Sequence, residues 1–173
     1  MEIRFNNKNR QTFMIAKYLI SATLKEKEFS KEMRYIHVEG DYIVSTDGNR
    51  LHVIQKQHLD RVTAEDFEDG NYEVLTNTIG EIVLSKSTEL LGYPEFMSFI
   101  PEKLTRHDFE DANSKDMISY VMCKIARQIN NTILHSYIKD ACILTPVDFC
   151  TSGDDSPIVL YNEFGFSVIN IQG

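Results

Sequence analysis

Between Tyr35 and Gln55, three short runs of alternating apolar and polar residues are separated only by tight turns. Tyr35–Glu39 and Tyr42–Ser45 are joined by Gly40-Asp41, and Leu51–Gln55 follows Asp47-Gly48. Period-two alternation buries one face of a strand, and an Asp-Gly pair between such runs is a strong short-range hairpin signal. An antiparallel meander is predicted here, and the rest of the chain has to be arranged around it.

The flanking segments repeat one order of elements. Met1–Asn6 alternates like a half-buried strand, with Ile3 and Phe5 against Glu2 and Arg4. A helix is predicted from about Asn9 to Leu24. Arg10, Lys17, Ser21 and Lys25 make a narrow basic stripe on it, and Phe13, Ile15, Ala16, Leu19 and Ile20 cover most of the remaining circumference. Arg61–Gly70 is acidic and reads as a solvated loop or short helix. Tyr72–Leu75 and Glu81–Ser85 form a strand pair about Asn77–Gly80. Tyr93-Pro94 and Ile100-Pro101 bracket an extended segment, because each proline disfavours helix in the residue before it. Thr105–Ser114 reads as a polar connection.

A second helix is predicted over about Ser114–Leu134. Ile118, Met122, Ile125 and Ile129 form its apolar stripe, opposite Tyr120, Lys124, Arg127 and Asn131. Strands at about Ala141–Leu144, Ile158–Tyr161 and Phe166–Ile171 close the chain. The expected class is α+β: two β-α-βββ halves, at about 1–60 and 71–173, joined by the acidic connection 61–70 in one domain over 1–173, with two helices on one face of antiparallel sheets.

Charge needs a segment-by-segment reading. The 173 residues hold 18 Lys and Arg against 26 Asp and Glu, a net charge of −8. Phosphates attract cations, so this total argues against nucleic acid. The charge is segregated, however. Lys8–Lys31 holds six cations and two anions, Lys115–Lys139 four cations and one anion, and the remainder carries −15. Both basic islands coincide with a predicted helix, so any contact with DNA is confined to one face. Such stripes are equally what ordinary solvated helix faces look like.

Other chemistry has little support. Cys123, Cys142 and Cys150 are odd in number and without metal-ligand spacing, and the five histidines are scattered. Reduced, buried thiols and no metal or cofactor are expected. No P-loop, dinucleotide fingerprint, nucleophile elbow or paired-carboxylate arrangement is legible, so no enzyme activity is expected. Asp154-Asp155 after Ser152-Gly153 reads as a turn. No apolar run approaches membrane-span length and Met1–Arg4 starts no signal peptide, which predicts a soluble cytoplasmic protein.

Three stretches resemble one family. Tyr42 to Leu51, reading YIVSTDGNRL, resembles the TDGHRL hairpin of bacterial DNA polymerase III β-subunit sliding clamps. Tyr93 to Pro101 resembles that family's FPDY…LP segment. Ser156–Leu160 with Gly165–Ile171 looks like the clamp's closing strands. The resemblance implies helices lining the inside of a ring, with Arg10, Lys17, Lys25, Lys124 and Arg127 toward the DNA backbone. It also implies a hydrophobic pocket for short polymerase and repair-protein peptides, with Thr46, Gly48, Arg50, Leu51 and Pro94 at the matching positions.

The chain departs from the family pattern at Asn49, where a His is usual, and at Ser98, where a basic residue is common. It also departs at the C-terminus, Ile169 to Gly173, where a Met-Pro-containing tail is usual. Family members carry three such domains per chain, so a ring built from this chain would need about six copies joined by edge strands. The implied function is a non-enzymatic clamp that encircles or contacts duplex DNA and tethers replication or repair proteins. The alternative is an acidic interaction module of the same fold that regulates such a protein without forming a ring.

Overall fold

The computed structural model describes residues 1–25, 30–59, 67–89, 92–107, 131–144, 147–151 and 157–170. Within them, β1 (Glu2–Asn6), α1 (Arg10–Ser21), β2 (Ile36–Glu39), β3 (Tyr42–Thr46) and β4 (Arg50–Gln55) form one β-α-βββ unit. A single helical turn, α2 (Lys56–Leu59), and the hairpin β5 (Gly70–Asn77) and β6 (Glu81–Lys86) follow. Then β7 (Thr105–His107), α3 (Asn131–Ala141), β8 (Asp148–Thr151), β9 (Ile158–Tyr161) and β10 (Gly165–Ile169) repeat the order.

The ten strands of the described residues form one antiparallel sheet, ordered β1-β6-β5-β2-β3-β4-β10-β9-β8-β7. The last strands of the two units, β4 and β10, meet at its middle, with Gly165 opposite Ile54 and Ile169 opposite Arg50. The β5–β6 hairpin is inserted between β2 and β1, so the first strands of the two units, β1 and β7, form the outer edges.

Why β4 and β10 are buried along almost their whole length follows from what covers each face. On one side, Ile43 and Ile54 pack with Phe13, Ile15, Ala16, Leu19 and Ile20 of α1. On the same side, Ile169 packs with Ile138 and Ala141 of α3. On the other side, Val44, Leu51, Val53, Phe166 and Val168 pack under Phe96, Tyr93, Ile100 and Leu104. Helices cover the first face, and the proline-bracketed segment covers the second. That segment contains a 3-10 turn at Met97–Phe99.

Four expectations need correction. Helix α1 stops at Ser21, short of Leu24. The Ser21 hydroxyl donates to Tyr18 O (2.7 Å) and that of Thr23 to Ile20 O (2.8 Å), competing with helical bonds, while Leu24 N is drawn to Met33 O (2.9 Å). Thr105–His107 is a strand because β8 offers it a partner, with Arg106 opposite Cys150. Ala141–Leu144 is the end of α3 and its turn, closed by Cys142 N to Ile138 O (3.0 Å). The strand lies instead at Asp148–Thr151; a short apolar run cannot tell a buried helix end from a strand. The predicted second helix lies outside the described residues from Ser114 to residue 130, and the described part runs on to Ala141.

A buried polar cluster holds α1 to the sheet. The Tyr18 hydroxyl and Ser167 Oγ lie 2.6 Å apart, and the His52 ring stacks on Tyr18 with centroids 4.2 Å apart. His52 Nδ1 lies 2.8 Å from Tyr18 O; a carbonyl only accepts, so the proton sits on Nδ1. Nε2 is buried without a hydrogen-bond partner among the described residues.

Burial first, and the Arg50 charge in addition, push the His52 pKa down to about 3, against the opposing pull of the Tyr18 carbonyl. In the unfolded chain this group titrates near 6.5. Between these values the unfolded state binds the extra proton, so stability falls as pH drops below about 6.5, by about 2 kcal/mol at pH 5. Urea titrations at pH 7 and pH 5 are expected to show this loss, and His52→Gln is expected to flatten it. An unchanged slope in the variant would refute the assignment.

Candidate functional site

The turn between β3 and β4 is built by its own side chains. Asp47 Oδ1 accepts from the backbone N–H of Asn49 (3.0 Å) and Arg50 (3.2 Å). Thr46 Oγ1 donates to Arg50 O (2.6 Å) and accepts from Gly48 N (3.1 Å). Gly48 has φ +92°, in the region L side chains avoid, so a glycine is required there. These bonds span four residues, which is why the sequence alone revealed the turn.

The tip of this hairpin forms the floor of a cavity of about 310 Å³. Thr46, Gly48, Arg50 and Leu51 line one side, and Ser98 and Phe99 of the 3-10 turn another. Pro157, Val168 of β10 and Asn170 just beyond it complete the lining. The Asn170 N–H donates to Asn49 O at 2.9 Å, tying the end of β10 to the hairpin. Leu51, Phe99, Pro157 and Val168 make the lining chiefly apolar, with a few polar groups at the rim, as in sites that take a side chain of a ligand. Pro94 is not brought to this cavity. It lines a separate groove beside the β2–β3 turn.

Arg50 lines the cavity, yet its guanidinium is committed inward. Nε donates to Asp47 Oδ2 (3.0 Å), Nη1 to Asp140 Oδ2 (2.6 Å) and Nη2 to the carbonyl of Ser21. The guanidinium also lies 4.2 Å from the Tyr137 ring centroid. One buried cation thus joins the hairpin, the C-terminal end of α1 and α3. No local pattern signals this role, because Ser21, Tyr137 and Asp140 are remote in sequence.

On the opposite face, Arg10 and Lys17 share the solvent side of α1, seven residues apart. Lys17 Nζ donates to Asn77 Oδ1 of β5 (2.7 Å). Lys25 is exposed but lies beyond the end of the helix, so it is not part of the helical stripe. Lys124, Arg127 and Cys123 lie outside the described residues. Cys142 and Cys150 are unpaired thiols. Burial pushes the Cys142 pKa up to about 11 and raises that of Cys150. Among the described residues no group of three or more His, Cys, Asp or Glu is placed to hold a metal ion. No helix of the described residues is long and apolar enough to cross a membrane.

No protein-family model and no curated protein matches the sequence. Solved structures do match. The DNA polymerase III β subunit of Thermotoga maritima aligns at TM-score 0.53 and 10% identity, over 98% of this chain and 65% of that one. The β chain of Streptococcus pneumoniae aligns at 0.54 and 12%, over 98% and 64%. The Helicobacter pylori β clamp, bound to a DNA ligase peptide, aligns at 0.52 and 11%, over 98% and 64%. The chain therefore spans less than two thirds of the length of these proteins. Its fold is that of bacterial DNA polymerase III β sliding clamps.

Proposed function

We propose, on the premise of this sliding-clamp fold, that the protein is a non-enzymatic tether. It contacts or encircles duplex DNA without sequence specificity and holds replication or repair proteins by short peptides. The observation that carries this reading is the two-faced layout of the sheet. The face covered by α1 and α3 carries Arg10 and Lys17, and the opposite face carries the apolar cavity at Thr46, Gly48, Leu51 and Phe99. Phosphate contacts on one side leave the other open for a peptide, so both partners can bind at once. That the Helicobacter pylori clamp of similar fold is bound to a DNA ligase peptide supports this reading. Residues 1–173 act as one clamp-like unit of two halves, about 1–60 and 71–173, and a ring would take about six copies.

The test is to separate the two faces. Duplex affinity is expected to fall at least about tenfold between 50 and 200 mM salt. Glu in place of Arg10, Lys17, Lys25, Lys124 and Arg127 should abolish it. Phe99→Glu should remove peptide capture and leave DNA binding intact. Mass photometry would report whether a ring-sized species forms. No affinity for DNA at low salt, together with retained peptide capture, would refute the tether and establish the acidic interaction module. The net charge of −8 is the observation that favours that second reading.

A further inference from the structure

Beside the hairpin cavity, on the same sheet face, runs a groove of about 480 Å³ that the tether reading leaves unused. Its apolar walls are Tyr42, Tyr93, Pro94, Phe96 and Met97, and all three charged residues lining it are carboxylates: Glu39, Asp41 and Glu95. Tyr42 and Phe96 meet edge to face with centroids 5.9 Å apart. The Tyr93 ring is fixed from behind by His37, stacked at 4.4 Å. Glu39 has His37 Nε2 at 3.5 Å, whereas Asp41 and Glu95 make no ion pair among the described residues. Aromatic faces framed by uncompensated carboxylates attract a cation through both ring quadrupole and charge.

The groove and the cavity are separate recesses that meet at one turn. The 3-10 turn Met97–Phe99 is the ridge between them, with Met97 lining the groove and Ser98 and Phe99 lining the cavity. Met97 is 47% exposed and Phe99 55%, so the ridge itself is an apolar surface that a partner can cover. Tyr42 lines the groove and Thr46 the cavity, four residues apart on β3, so an extended peptide of about four or five residues reaches both recesses.

We infer that the groove is a second subsite, which takes a Lys or Arg side chain of the same peptide whose apolar side chain enters the hairpin cavity. This inference rests on the tether reading and names its partner class: short peptides pairing an apolar residue with a base a few positions away. Charge complementarity selects that occupant over an acidic peptide, and the groove lies on the sheet face remote from Arg10 and Lys17.

A phage-displayed random heptapeptide library, selected on the full chain with the Phe99→Glu variant as counter-selection, tests it. Enriched sequences are expected to carry Lys or Arg within about four positions of an apolar residue. For a synthesised enriched peptide, the exposed double substitution Asp41→Lys, Glu95→Lys should weaken binding at least tenfold and shift a repeat selection toward Asp or Glu. Apolar peptides enriched without a basic residue, and unaffected by the double substitution, would overturn the second subsite and leave the tether reading standing. No enrichment over the Phe99→Glu control would overturn both.

Discussion

Gly165→Ala is expected to lower stability by about 3 kcal/mol or more, the cost of forcing atoms into a packed interior. A Cβ on Gly165 would lie 2.0 Å from the backbone oxygen of Val53, 2.9 Å from its carbonyl carbon and 3.0 Å from Ile54 Cα. These are backbone atoms of the facing strand, so no side chain can rotate away. Gly165 starts β10 opposite Ile54, at the seam between the two β-α-βββ units. Its N–H also donates to Asn162 Oδ1 at 2.9 Å, which closes the β9–β10 turn. The strain therefore acts on the β4–β10 ladder and on the turn together.

A drop in Tm of roughly 6–12 °C follows for a chain of this length. The control is Gly80→Ala, where nothing lies within 4 Å of the added methyl; it should stay within about 0.5 kcal/mol of the parent. Equal melting temperatures for the two variants would refute the close approach.

Arg50→Met is expected to cost about 3–5 kcal/mol, as removal of one member of a buried ion pair does. Arg50 is 8% exposed, and its loss strands the carboxylates of Asp47 and Asp140. It also removes the donor to Ser21 O at the end of α1 and the cation over Tyr137. Asp140→Asn alone should cost less, because the amide still accepts a hydrogen bond. The double variant Arg50→Met, Asp140→Asn should cost less than the two single changes added together, since Asp140 no longer suffers an uncompensated burial. Strictly additive urea-melt values would show that the two groups are not coupled. Arg50→Met should also weaken peptide capture by loosening the hairpin, whereas Phe99→Glu acts on the peptide directly.

The contrast between Arg50 and its neighbours marks what could be read in advance. The Thr46–Leu51 hairpin was legible because Asp47 and Thr46 bond to groups within four residues. Its place at a cavity was implied by the family resemblance and by nothing in the turn itself. The inward commitment of the Arg50 guanidinium was invisible, because 90 residues separate it from Asp140. Pro94 carried the same resemblance, yet it lines the neighbouring groove. The sequence recorded that Pro94 sits in an extended segment, not which side of the ridge that segment presents.

Taken alone, the sequence determined the alternation of β1 and β2, the turn at Asp47-Gly48, the inward face of α1 and the segregation of charge. Each depends on neighbours a few residues away, or on a periodicity that burial imposes on a single element. The tertiary structure decided the rest. Thr105–His107 became a strand because β8 lay beside it, and the chain left the α1 path after Ser21, with Leu24 N turned to Met33 O. Arg50 turned inward because two helices brought Ser21 and Asp140 within its reach. Those outcomes belong to pairs of residues that only the folded chain brings together, and a contact between distant segments leaves no mark on either one alone.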